Sequence, residues 1–142
     1  MSDLTADLNR SVKGSPAPFT YKLGAVHVYK GEGLMVLRGT GYAVKMANTA
    51  LGTFIGVAMS EVDNSGGSAG DKEVQVRKGG IELFSKTSAA VTDIGVMATA
   101  VDSDTVATGG SKDVQVGLIV GHDSTTKVWV DTNVMLAASA AS

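Results

Sequence analysis

The sequence predicts an all-β fold: one antiparallel domain of the sandwich, jelly-roll or small-barrel kind, with an internal strand-loop-strand duplication and an extended N-terminal arm. Three observations predict it. Valines alternate with other residues at a period of two, as in Val74-Gln75-Val76 and Val128-Trp129-Val130, the mark of strands with one buried face. Eighteen glycines against two prolines in 142 residues divide the chain into short runs joined by tight turns. Finally, one strand-loop-strand passage occurs twice.

Residues 1–22 form the expected arm. Pro16 and Pro18 impose an extended path, and Phe19 and Tyr21 follow closely, placed to anchor the segment on a neighbouring subunit. A frayed terminus is the plainer alternative. The β domain is expected over 23–136. Val26 and Val28 share one face of a strand, with His27 and Tyr29 on the other. Residues 34–37, 54–59 and 118–120 are unbroken apolar runs, which suit central strands covered on both sides. Val74 and Val76 oppose Glu73, Gln75 and Arg77; Val114 and Val116 flank Gln115; Val128 and Val130 flank Trp129. About nine or ten strands are expected between Gly24 and Thr132. Breaks fall at 30–33, 39–41, 63–70, 78–80, 102–104, 108–111 and 121–126. Stretches 47–51 and 85–91 each have room for a single helical turn, and 137–142 reads as a flexible small-residue tail.

The duplicated passage begins at Ile55-Gly56-Val57-Ala58-Met59 and runs through Val62-Asp63 and a glycine-rich loop to Lys72-Glu73-Val74-Gln75-Val76. Its second copy begins at Ile94-Gly95-Val96-Met97-Ala98 and runs through Val101-Asp102 to Lys112-Asp113-Val114-Gln115-Val116. The offset is 39 between Ile55 and Ile94 and 40 between Val74 and Val114, so the second loop is one residue longer. The copies extend over 41–76 and 80–116. Solenoids need three or more units to bury their faces, so two copies suit two halves of one domain. What repeats is scaffold, and no reactive group repeats with it.

Composition excludes several classes. A net charge of −2, with no basic stripe, argues against nucleic-acid binding, where neutralised phosphates supply most of the affinity. The absence of cysteine excludes disulfides and thiolate chemistry. The start lacks the basic end and apolar run of a signal peptide, and no run approaches the length of a membrane helix. Synthesis in the cytoplasm, without membrane association, is the expectation.

Motifs for catalysis or metal binding are incomplete. In Gly66-Gly67-Ser68-Ala69-Gly70-Asp71-Lys72, Asp71 separates the last glycine from the lysine, and a strand follows where a phosphate loop needs a helix N-terminus. Gly39-Thr40-Gly41 has Val44 in place of the third glycine of a dinucleotide fingerprint. His122-Asp123, expected in a glycine-rich turn, and mid-strand His27 have no nucleophile in a suitable context. Asp63-Asn64-Ser65-Gly66 and Asp102-Ser103-Asp104 resemble pieces of calcium loops but lack the bidentate glutamate, and these residue types also build turns unaided. The expectation is a non-enzyme with no catalytic residue, metal or cofactor.

The passage Gly52-Thr53-Phe54-Ile55-Gly56-Val57-Ala58, followed by Glu73-Val74-Gln75-Val76 and Gly79-Gly80-Ile81-Glu82-Leu83, resembles the capsid decoration, or cement, proteins of tailed bacteriophages. So do Asp104-Thr105-Val106-Ala107-Thr108, Val116-Gly117-Leu118-Ile119-Val120 and Lys127-Val128-Trp129-Val130-Asp131. The similarity spans about residues 23–132 and rests on Gly and Val patterns. It implies a β-rich virion protein that binds the outer surface of an assembled head through the major capsid protein and stabilises it. A homo-oligomer, dimer or trimer, would contact several capsid subunits at once, so weak contacts would add.

Trp129 lies opposite Val128 and Val130, between Lys127 and Asp131. It is either packed under a loop of its own chain or, with Phe19 and Tyr21, an interface anchor. Two other roles remain open: a β-sandwich module recognising carbohydrate or a host surface, and another virion component such as a tail-tube subunit. One Trp and three Tyr are few for stacking on sugars, and the loops are short for ring stacking.

Overall fold

The computed structural model describes residues 17–108 and 114–133. Residues 1–16 of the expected arm and the 137–142 tail lie outside the described residues. The strands are β1 (Ala17–Lys22), β2 (His27–Val28), β3 (Gly33–Leu37), β4 (Ala43–Lys45), β5 (Gly52–Ala58), β6 (Val62–Asp63), β7 (Glu73–Lys78), β8 (Ile81–Ser85), β9 (Met97–Ala100), β10 (Val106–Thr108), β11 (Gln115–Ser124) and β12 (Lys127–Asp131). The helical content of the described residues is one 3-10 turn, Val91–Asp93, at the end of the second stretch with room for helix; 47–51 is an irregular connection into β5.

Two open five-stranded antiparallel sheets carry the fold. The first has the order β1-β7-β5-β3-β4 and the second β10-β9-β11-β12-β8. Neither closes into a barrel, so the architecture is a sandwich, with β2 and β6 paired as a small third layer. The unbroken apolar runs supply β3, β5 and β11, all interior strands; β3 and β5 are covered on both sides as expected, whereas β11 is covered on one, with Val120 40% exposed.

One core lies between the sheets, where Met35, Phe54 and Val57 of the first meet Phe84, Val116, Ile119, Val128 and Val130 of the second. A second core fills the other face of the first sheet. Leu34, Ile55, Val74 and Val76 pack there with Val28 and Val62 of the β2–β6 layer. Strand β5 serves both cores through a bulge. Leu34 opposes Gly56 but Met35 opposes Phe54, leaving Ile55 as the extra residue. The bulge shifts the phase of alternation, so Phe54 and Val57 share one core and Ile55 and Ala58 the other.

The duplication survives in pairing more than in environment. Strands β5 and β7 pair in the first sheet, and β9 and β11 pair in the second. Val74, Val76, Val114 and Val116 are all buried. The first strand of the second copy begins late, at Met97, because the 3-10 turn and the turn after it take up 91–96. Consequently Ile55 is 7% exposed and its counterpart Ile94 is 45% exposed.

Polar ties hold the layers in register. The chain changes sheets between β7 and β8, where Arg77 grips Glu82 with two hydrogen bonds of 2.8 and 3.0 Å. Asn64, almost fully buried, donates to the carbonyls of Leu23, Gly24 and Ser68 and fastens the 63–71 loop beneath the start of the domain.

Glu32 joins the two sheets. Its carboxylate accepts from the Ser103 hydroxyl and the Tyr29 amide and lies 3.4 Å from Lys45 Nζ. Burial opposes its ionisation, but the Ser103 and Tyr29 hydrogen bonds and the charge of Lys45 prevail, so the carboxyl is held below its ordinary 4.5. A carboxyl with a lowered folded-state value contributes stability that is complete above the ordinary value and lost as pH falls through the folded one. Thermal midpoints measured between pH 6 and pH 3 should therefore fall, and Glu32→Gln should be less stable at pH 6 yet show a shallower decline. An unchanged slope in that variant would show that the Glu32 tie does not contribute to acid sensitivity.

Candidate interaction surfaces

Residues 17–22, the end of the expected arm, are strand β1 and pair along their whole length with β7 of the same chain. The edge position accommodates Pro18, since among the described residues no strand lies beyond β1 to require its missing amide hydrogen. Phe19 pairs with Val76 and Tyr21 with Val74, so both aromatics share the face of the second core. Tyr21 packs against that core, whereas Phe19 is 59% exposed. Their rings are 6.3 Å apart and tilted, a favourable aromatic contact. The aromatics therefore sit on the rim of their own domain, with Phe19 turned outward.

Trp129 sits on the outward face of the second sheet, not under a loop. Opposite it, Gly121 has no side chain, and the indole lies across the space: a Cβ at Gly121 would stand 3.1 Å from Trp129 Cδ1. On its other side Trp129 pairs with Leu83, and Asp131 pairs with Ile81. Leu83 and Trp129 are each 38% exposed and Ile81 is 57% exposed, while Phe84, next along β8 and opposite Val128, is buried on the inner face. Sequence reasoning missed Ile81 and Leu83. The Ile81-Glu82-Leu83-Phe84 run is apolar at both odd and even positions, and only the pairing of β8 with β12 shows which of them joins Trp129. Structure thus separates the three anchor candidates: Trp129 gains apolar neighbours on one sheet face, and Phe19 with Tyr21 lies on an edge of the other sheet.

The polar constellations are occupied by local work. Asp63 Oδ1 accepts from the Ser65 hydroxyl and amide, hydrogen bonds that hold its carboxyl below the ordinary range. Asp102 Oδ1 accepts from the Asp104 and Thr105 amides, with the same effect. Both are turn-forming aspartates. Asp71 holds the Ser68 amide in the glycine-rich loop, which leads directly into β7. His27 contacts Glu61 at 2.7 Å and stacks on Tyr29, with centroids 4.3 Å apart. His122 and Asp123 lie within β11 and not in the expected turn, with His122 opposite Val128 and Asp123 the extra residue of a bulge in the pairing with β12. No three His, Asp or Glu side chains among the described residues are grouped to hold a metal ion. No helix among them is long and apolar enough to cross a membrane.

Compared with models of known protein families and with curated protein sequences, the chain matches none.

Proposed function

We propose that this protein is a structural virion component that binds the outside of an assembled phage head and stabilises it. The observation that carries the reading is the set of large apolar side chains held outward on rigid strands, Trp129 with Leu83 and Ile81 on one sheet and Phe19 on the rim of the other. Aromatic anchors on a preorganised scaffold are what a protein-binding surface needs. The passages that resemble decoration proteins supply most of this scaffold: β5, most of β7 and β8, and all of β12. The binding is non-covalent, and its effect is linkage. A ligand that occupies only the intact lattice stabilises each site by about 2.7 kcal/mol at a hundredfold excess over Kd, repeated over many sites.

Addition of the purified protein to expanded heads that lack a decoration protein tests this. Binding should saturate at a fixed ratio to the capsid subunit and raise the temperature at which heads rupture. It should also weaken only modestly with salt, because a chain of net charge −2 has little long-range attraction to lose. Absence of binding at micromolar concentration, with retention on a glycan array, would favour carbohydrate recognition instead.

A further inference from the structure

We propose that the outward face of the second sheet is a homodimer interface, packed about a two-fold axis that passes beside Trp129. On β12 and β8 the apolar part of the face is Trp129, Leu83 and Ile81, adjacent in register. The indole packs against Gly121, where the missing side chain makes room for it. Apolar area alone would not name the occupant. The charges beside it do.

Lys127 and Asp131 are each two residues from Trp129 on the same side of β12, hence about 7 Å before and after it along the strand. Neither has an ion-pair partner among the described residues. Lys127 Nζ donates to Ser85 Oγ, which in turn donates to Asp104 Oδ2, and Asp131 Oδ1 accepts from the Asn133 amide, which orders both charges. The row therefore reads positive, aromatic, negative. A two-fold axis in the plane of the interface and perpendicular to β12 lays this row antiparallel on its own copy. Lys127 then faces Asp131 of the other copy twice over, and the two indoles meet at the centre. The same rotation brings the aliphatic stem of Lys127 toward Ile81 of the other copy, because Ile81 neighbours Asp131. The other in-plane axis, parallel to the strands, would set Lys127 on Lys127 and Asp131 on Asp131. The charge pattern thus selects one self-complementary packing, the isologous arrangement that a closed dimer requires.

The test uses the full chain in sedimentation equilibrium from roughly 1 to 100 µM, with fluorescence of its one tryptophan followed over the same range. The expected result is a two-chain mass, with emission moving to the blue as concentration rises. Lys127→Asp and Asp131→Lys should each weaken association about tenfold or more, since each sets like charges face to face. The double variant restores opposite charges across the axis and should recover association to within about threefold of the parent. Circular dichroism of each variant checks that the sheets are intact. A monomer throughout the range, a three-chain mass, single reversals without effect, or a double variant that fails to recover would each overturn the proposal.

Discussion

Gly56→Ala is expected to lower the unfolding free energy by about 3 kcal/mol or more, from backbone strain and steric overlap together. Gly56 sits at the β5 bulge with φ of 136°, outside the range that side chains favour. A Cβ there would also run into the Arg77 carbonyl group, its carbon 2.9 Å away on the neighbouring strand β7. Strand β7 cannot retreat easily, because Val74 and Val76 are buried and Arg77 is held by Glu82. Gly31→Ala separates the two contributions. Gly31 has φ of 94° with nothing within 4 Å of a built Cβ, so it should cost only the strain, about 1 kcal/mol. Urea unfolding of both variants measures the difference. Equal losses would show that the approach of Arg77 to Gly56 relaxes without cost, and that the bulge does not depend on glycine for space.

Phe54→Ala should cost about 3–5 kcal/mol, a large part of the stability of a domain this size. Phe54 is among the largest fully enclosed side chains, 2% exposed, and belongs to the core between the two sheets. Most residues of that core lie on paired strands, so the cavity can collapse little and the loss should fall at the upper end. The thermal midpoint should drop by on the order of 10 °C. Phe19→Ala is the matching control. Phe19 is exposed on the edge strand, so its removal should move the midpoint by only a degree or two while leaving any effect on partner binding to be seen separately. A loss of several kcal/mol at Phe19 would mean that β1 depends on that ring for its place in the sheet.

The duplicated passage shows how sequence and fold diverge. Its valine pairs were legible as core positions because period-two alternation is local, and all four are buried. The exposure of Ile94 and Val96 was not legible. Their counterparts Ile55 and Val57 have the same residue types and spacing, and the 3-10 turn that displaces the second copy is held by Ala90 and Asp93, where the first copy has Leu51 and Phe54. The interface candidates divide in the same way. Trp129 stood out as an aromatic on the polar side of an alternating strand. Ile81 and Leu83 lie in a segment where Phe84 is apolar on the opposite phase, and they reach Trp129 only through the β8–β12 pairing.

By itself, the sequence determined the all-β class, most of the turns, three of the interior strands and the inward side of the alternating strands. These are properties of a few neighbouring residues, set by the two-residue repeat of the extended chain and by what glycine permits. Tertiary structure alone decided the assignment of strands to two sheets, the joining of 17–22 to β7, and the phase shift that lets β5 feed two cores. It also placed Trp129 over Gly121 beside Leu83. Each of these depends on which distant segment supplies the hydrogen-bonding partner, and backbone amides carry no record of that choice in a single sequence. Only the combined burial of both cores selects it.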